Sequence, residues 1–329
     1  MLAASIGLVA LLGVALMGRI DRAPAVWLTA VLFVLPYLFV AHAVAVFALW
    51  CVVPDRRSLP AILTVGLGSM AVLWGPGFAV RSEDAPGAEV SVMSWNVRRL
   101  WGGPDDGGDP LACVVDAIRA ADPDVVTLLE VSRENLAALS GPLGLDCVHG
   151  TYQSNGADRH GGLAACARNG TRLVNGAARR FVDDEDWHYV LTEVNVGGRV
   201  FNLLAVHLTP YRLGSGEAEH ARQTAKGQAN QSAALLDRVA RFRDPTVVAG
   251  DFNSTRDFYL HAALRQHLTD VWERGGLGMG ATKLAMDWLP LRIDYIYASD
   301  AFAVRGAEVP QVGCSDHRPV LSTLVLRDP

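Results

Sequence analysis

Apolar and polar positions divide this chain into two unlike parts. From Met1 to Val80 the charged side chains are Arg19, Asp21, Arg22, Asp55, Arg56 and Arg57, and they fall in two short breaks. Three apolar stretches remain, approximately Leu2–Met17, Ala25–Val53 and Leu59–Val80. A helix needs about 20 apolar residues to cross the ~30 Å hydrocarbon core. The second and third stretches meet that length and the first is marginal. A cleaved signal peptide over the first stretch would lack a basic n-region and leave two apolar spans unexplained. A buried helical bundle is the other alternative. The expected organisation is a three-helix transmembrane anchor over 1–80, a linker over 81–88 and one large domain over 89–329.

Beyond the linker the pattern changes to short β-prone runs. They fall at Glu89–Trp95, Val125–Glu130, Gly162–Arg168, Tyr189–Val196, Val200–His207, Thr246–Asp251, Arg292–Ala298 and Pro319–Leu326. Asp109–Ala121 reads as a helix, with Leu111, Val114, Val115 and Ile118 on one face and Asp122-Pro123 after it. Glu217–Phe242 reads as a long, mostly polar helix. Gly197-Gly198 between two strand runs predicts an antiparallel hairpin, and Gly102–Asp109 a loop. Mixed sheets with helices outside them predict a layered α+β sandwich.

Charge adds orientation and excludes some partners. Each break carries two arginines, so the positive-inside count is tied. The weakly acidic Arg81–Gly87 segment tips the expectation toward a domain outside the cell membrane. The first 80 residues hold four arginines and two aspartates, so a chain of net charge −5 leaves −7 on the rest. Such a domain has no general attraction for nucleic acid, although a local basic groove is not excluded. Lys226 and Lys283 are the only lysines. Cys113, Cys147, Cys166 and Cys314 form no CxxC pair, which argues against zinc. Two disulfides and four isolated thiols both remain open.

The chemistry lies where polar residues meet strand ends. Ser94-Trp95-Asn96 closes the first run, Leu128-Leu129-Glu130 the second and Ala205-Val206-His207 the fifth. Gly250-Asp251-Phe252-Asn253 follows the sixth, Ile293-Asp294-Tyr295 lies in the seventh, and Ser315-Asp316-His317 precedes the last. Carboxylates, amides and imidazoles of this kind suit hydrolysis of a phosphate ester with a hard divalent cation. Each cluster alone has a plainer explanation as a turn, a cap or a loop salt bridge. In this order and spacing, the six resemble the endonuclease/exonuclease/phosphatase superfamily, the metal-dependent phosphoesterases that include DNase I-like nucleases, sphingomyelinases and inositol-polyphosphate phosphatases.

That resemblance covers about Val90 to Leu326 and implies a four-layer α/β/β/α sandwich. It implies Glu130 as principal ligand of Mg2+ or Mn2+, completed by Asn96 and Asp316. Asp251 would orient or deprotonate the attacking water, and Asn253 would hold water or a phosphate oxygen. His317, paired with Asp294, would donate to phosphoryl oxygens, and His207 would sit on the phosphate or near the leaving group. Weaker substrate-binding candidates are His160 and, at a pocket mouth, Tyr211 and Arg212. His220, His261 and His267 read as helix-surface residues.

The fold alone does not fix a substrate. A catalytic edge held just after a membrane span favours membrane lipids as partners, with a lipid-linked phosphate as substrate: a phospholipid, a sphingolipid or a polyprenyl carrier. Three apolar spans before such a domain also resemble the actinomycete membrane proteins associated with teicoplanin resistance, whose catalytic domain faces outward. An anchored extracytoplasmic nuclease and a non-catalytic binding module are the alternatives. No protein partner can be inferred from the sequence.

Overall fold

The computed structural model describes residues 2–53, 58–75, 82–102, 108–151, 161–182, 188–212 and 218–328. One sheet has the order β13-β14-β1-β2-β4-β3. Its strands are β1 (Gly87–Asn96), β2 (Val125–Val131), β3 (Asp146–Thr151), β4 (Gly162–Ala167), β13 (Phe302–Glu308) and β14 (Val320–Arg327). The other has the order β5-β6-β7-β8-β12-β9. It is built from β5 (Arg172–Arg180), β6 (His188–Val196), β7 (Arg199–His207), β8 (Thr246–Asp251), β9 (Thr269–Asp270) and β12 (Asp294–Ala298). Both sheets are mixed: β1 runs parallel to β2 and antiparallel to β14, and β7 runs parallel to β8 while β8 and β12 are antiparallel. A separate hairpin joins β10 (Lys283–Ala285) to β11 (Leu289–Leu291).

The inner faces of the two sheets meet in a core that includes Val92, Leu129, Leu203, Val247, Ile296 and Leu324. Helices α4 (Pro110–Ala121) and α5 (Arg133–Leu143) cover the outer face of the first sheet. There Val114, Ile118 and Leu139 pack with Met93, Trp95 and Leu128. Helices α6 (Ala218–Arg241) and α7 (Tyr259–Leu264) cover the second, placing Leu235, Val239 and Leu264 with Leu204, Val248 and Tyr297. The expected four layers are therefore present. Central strands are buried on both faces, which is why β8 reads as a continuous apolar run without alternation. A short helix, α8 (Val271–Gly275), follows β9.

Three N-terminal helices precede the sandwich: α1 (Leu2–Ile20), α2 (Val26–Val52) and α3 (Leu59–Trp74). Two of them, α1 and α2, are long and apolar enough to cross a membrane. The expectation of three spans is corrected at α3, which has 16 residues. The sequence Gly75-Pro76-Gly77 follows it, and glycine and proline oppose helix propagation. Residues 76–80 of that expected span lie outside the described residues. The first helix runs longer than expected, through Arg19, whose guanidinium lies 3.8 Å from Asp257 of the sandwich.

All three helices dock on the domain. Leu28, Leu32, Leu35 and Phe39 of α2 cluster with Leu73 of α3 and Phe258. Thr255 Oγ1 donates to the Leu32 carbonyl (3.2 Å) and Trp74 Nε1 to Asp257 Oδ2 (3.2 Å). The C-terminal end of α1, the N-terminal half of α2 and the C-terminal end of α3 thus face the same domain. That is the geometry of an up–down–up hairpin that delivers the chain to one side.

All four cysteines of the domain are paired. Cys113 bonds Cys314, tying α4 to the segment before β14, and Cys147 bonds Cys166 between β3 and β4. Cys51, in α2, is free. Disulfides persist in oxidising compartments, which indicates an extracytoplasmic domain. Alkylation of denatured, unreduced protein is expected to label Cys51 alone. Reduction is expected to expose the other four thiols and to cost about 2–4 kcal/mol of stability per bond. Five reactive thiols before reduction would contradict the pairing.

Candidate active site

Strand register brings the polar residues to one rim. In the parallel β7–β8 pair His207 lies opposite Asp251, and in the antiparallel β8–β12 pair Asp294 lies opposite Asp251. His207 Nε2 is 3.6 Å from Asp251 Oδ2. The first sheet supplies Asn96 at the end of β1 and Glu130 near the end of β2. Asn96 Nδ2 donates to Glu130 Oε1 (3.1 Å) and to Asp251 Oδ2 (3.1 Å), joining the two sheets through one amide.

The segment before β14 closes the site. Ser315 Oγ donates to the Asn96 carbonyl (2.8 Å), and Trp95 Nε1 to the His317 carbonyl (3.0 Å). His317 Nδ1 is 2.9 Å from Asp294 Oδ2, and its Nε2 is 3.8 Å from Asp251 Oδ2. Glu130 and Asp316 are linked to this rim through Asn96 and Ser315. Seven of the predicted residues, Asn96, Glu130, His207, Asp251, Asp294, Asp316 and His317, therefore converge.

Local backbone chemistry sets these side chains. Glu130 sits at a register shift between Leu129 and Val131 with φ +54°. Such a bulge re-aims a side chain that regular pleating would direct elsewhere. Gly161, at φ +76°, faces it, and a Cβ there would lie 3.1 Å from the Glu130 carbonyl carbon. A Cβ on Gly250 would lie 1.8 Å from the Val206 carbonyl oxygen, so only glycine lets β7 and β8 align His207 with Asp251. Asn253, at φ +48°, directs its amide inward: its backbone N–H donates to Asp251 Oδ1 (2.8 Å) and its Nδ2 to the Leu208 carbonyl (2.8 Å). It fixes the loop after β8 and the strap after β7 together.

Several participants were not expected. Lys283 Nζ donates to Asp316 Oδ2 (2.8 Å) and lies 2.8 Å from His317 Nε2. Its rarity in this arginine-rich chain was the available signal. Arg98 and Arg99, one residue beyond the Ser-Trp-Asn run, lie 3.8 Å from Asp316 and Glu130, respectively. On α6, Gln228 donates to the Phe252 and Asn253 carbonyls, while Gln231 accepts from the Thr209 N–H and donates to its hydroxyl. These glutamines, spaced three residues apart, hold the loops that follow β7 and β8.

Other expectations are revised. His261 is fully buried, with Ser254 Oγ 3.0 Å from Nε2 and Tyr297 Oη 2.7 Å from Nδ1. Burial lowers its pKa well below the ordinary range, so it remains neutral. Tyr211 packs against Phe33 of α2 and Phe258, in the interface with the N-terminal helices. The Arg212 side chain is exposed, and its backbone N–H donates to Thr224 Oγ1 (3.3 Å). His160 lies outside the described residues.

The charges divide the roles. Burial, reinforced by Asp294, raises the Asp251 pKa, so this carboxylate holds a proton more readily than usual. Burial pushes Glu130 upward too, but His207, the Asn96 hydrogen bond, His317 and Arg99 hold it below the usual value. Asp316 is likewise held low, by His317 and Lys283 against burial. Burial disfavours the His317 cation, yet Asp294 and Asp251 overcome it and raise the pKa. In the neutral ring, Nδ1–H donates to Asp294 and Nε2 accepts from Lys283; a second proton on Nε2 leaves Lys283 to Asp316.

The donor set fits a hard divalent cation. Ligand atoms of Asp251, Asp294 and His317 all lie within 4.8 Å of one another, and buried Asp294 Oδ1 has no hydrogen-bond partner among the described residues. This group adjoins the expected trio of Asn96, Glu130 and Asp316 rather than coinciding with it. Carboxylate oxygens of this kind suit Mg2+ or Mn2+ better than a thiophilic metal.

Two mixed sheets between helical layers, with this rim, define a DNase I-like sandwich. The Endonuclease/Exonuclease/phosphatase family matches residues 93–317, and the chain belongs to it. Among solved structures, an endonuclease/exonuclease/phosphatase from Beutenbergia cavernae is 23% identical, with a TM-score of 0.58 over 73% of this chain and 72% of that one. A family member from Bacteroides vulgatus is 17% identical (TM-score 0.58, covering 73% and 99%). A humanised D. rerio TDP2 is 18% identical (TM-score 0.59, covering 72% and 98%). These likenesses concern the fold. No curated protein matches the chain.

A proton titration of His317 by NMR is expected to give a midpoint above the unfolded value of about 6.5. Stability from its pairing is then full below that value and lost as pH rises through the raised folded one. Asp294→Asn should move the midpoint down. A wild-type midpoint at or below the unfolded value would contradict the assignment.

Proposed function

We propose that this protein is a membrane-anchored, divalent-metal-dependent phosphoesterase that cleaves a phosphate ester or pyrophosphate of a membrane lipid on the extracytoplasmic side. The lipid classes that fit are a phospholipid, a sphingolipid or a polyprenyl carrier. One observation carries the reading. The β10–β11 hairpin holds Lys283 at the catalytic rim, and its Leu289 and Leu291 pack with Phe33, Val34 and Tyr37 of α2. The reacting groups therefore abut an apolar helix long enough to span a bilayer.

Asn96, Glu130 and Asp316, with Asp251 and Asp294 beside them, are the residues that would hold the cation. A bound divalent ion supplies charge neutralisation at the phosphoryl oxygens. Asp251, its proton affinity raised by burial, receives the proton of a water that attacks phosphorus. His317, its tautomer fixed by Asp294, donates to a phosphoryl oxygen, and Lys283, Arg98 and Arg99 add positive charge to the same rim. His207 is placed to protonate the departing oxygen as the ester bond breaks.

The first polar break lies against the domain. Arg19 pairs with Asp257, and the Arg22 guanidinium lies 5.4 Å from the centre of the Tyr259 ring. Both arginines of the first break are thus engaged by the domain.

Full-length protein in detergent is expected to hydrolyse lipid phosphates with Mg2+ and to lose activity with EDTA. Glu130→Gln should reduce metal-dependent turnover by orders of magnitude while leaving the fold intact; near-wild-type rates would take Glu130 out of the site. His317→Ala should cost about 3–4 kcal/mol of transition-state stabilisation, roughly 10²–10³ in kcat. A loss under about tenfold would demote it. Cleavage of plasmid DNA with no cleavage of lipid phosphates would favour an anchored nuclease.

A further inference from the structure

A cavity of about 450 Å3 lies between the N-terminal helices and the sandwich, away from the reacting side chains. Tyr37 and Val40 of α2 and Met70 and Trp74 of α3 form one wall, and Met279 and Leu291 are among the residues of the other. The volume falls in the range of about 300–1,000 Å3 typical of small-molecule sites. Charged groups at its edge are engaged elsewhere. Arg256 pairs with Glu273 (2.9 Å), Arg292 with Asp270 (2.8 Å), and Asp257 accepts from Trp74. The remaining surface is almost wholly apolar and suits a hydrocarbon.

Depth points to the bilayer as its source. The Tyr37 hydroxyl donates to the Pro290 carbonyl. Tyr37 lies eleven residues beyond Val26, the first residue of α2. At 1.5 Å per residue that is about 16 Å along a 27-residue apolar helix, well inside its two ends. The part of the domain bonded there carries five exposed apolar side chains within residues 277–288: Leu277, Met279, Leu284, Met286 and Trp288. Met286 and Trp288, at the hairpin tip, are 70% and 68% exposed. Isolated exposed apolar residues need no explanation, but a cluster beside a membrane helix marks a lipid-facing patch.

Two of the segments that line the cavity run on to the catalytic rim. Ala281 and Arg292 line it. Two residues beyond each stand Lys283 and Asp294, and Thr282 Oγ1 between them accepts from the Ile293 and Asp294 N–H groups (both 3.2 Å). Two residues of extended chain span about 7 Å. A molecule with its phosphate at the rim can therefore lay a chain into the cavity.

We propose that this cavity binds the hydrocarbon chain of a single-chain lipid phosphate drawn from the bilayer, with the β10–β11 hairpin immersed beside it. The proposal rests on the lipid phosphoesterase reading above and assigns that site a tail-binding subsite. It is tested on the full-length protein in detergent with farnesyl monophosphate bearing a terminal diazirine, cross-links being mapped by mass spectrometry. Cross-links are expected on residues 70–75 of α3 and on 278–292. Val40→Trp and Ala71→Trp, which fill the cavity from two helices, should each cut that labelling and raise KM for farnesyl monophosphate by about tenfold or more. Turnover of p-nitrophenyl phosphate should be unchanged.

Labelling confined to the outer surface of the helices, or unaffected by both variants, would overturn the proposal. Cavity labelling in a protein that cleaves only DNA would retain the subsite and remove the lipid phosphoesterase reading. Hydrolysis of farnesyl monophosphate without cavity labelling would do the reverse.

Discussion

Asp251 is a carboxylate buried at the end of a strand with no exposed residue, and the site is organised around it. An isolated buried charge is expensive, so such a group must be paired, neutralised or given a cation. Here the two histidines and Asn96 compensate the charge, while the Asp294 carboxylate favours its protonation. His207 and Asp294 stand opposite it in the strand register, Asn96 donates to it from the other sheet, and His317 lies behind Asp294. Removing Asn96 or either histidine would leave the charge less compensated, and loss of Asn96 would also loosen the contact between the two sheets. The chemical consequence is a proton acceptor poised above the ordinary carboxylate range, next to residues able to hold a divalent ion.

The helices extend that logic beyond the rim. They are not a tether with a free domain at its end, because Thr255, Asp257 and Pro290 are hydrogen-bonded to α2 and α3. The loop after β8 carries Asp251 and Asn253 at its start and Thr255–Asp257 two residues further on, so one short segment connects the reacting groups to the anchor. A substrate confined to the membrane then meets the site at high effective concentration and in a restricted orientation.

Most of the catalytic rim was legible in the sequence because its residues end strands whose apolar character is strong. Thr246–Asp251 and Val125–Glu130 are central strands buried on both faces, and their terminal carboxylates stand out against them. Of the missed strands, β3, β5, β9 and β13 are sheet edges, where one side is unpaired and the apolar pattern is diluted, and β10 and β11 form a separate short hairpin; β5 alone carries three arginines. Lys283, Arg98 and Arg99 reach the site only through tertiary folding, from a three-residue strand and a turn that no periodicity marks. His261 lies in a short helix and reads as surface, yet it is buried between Ser254 of the preceding loop and Tyr297 of β12. The anchor was read one span too generously, since hydropathy does not register where Gly-Pro-Gly stops a helix.

The most direct test of the account is a crystal grown with Mn2+, with the ion located by its anomalous signal. The account predicts one strong peak at the rim, within coordination distance of carboxylate oxygens from both sheets, Glu130 on one and Asp251 or Asp294 on the other. A peak held by one sheet alone, or an ion that binds elsewhere and leaves the rim bare, would contradict it.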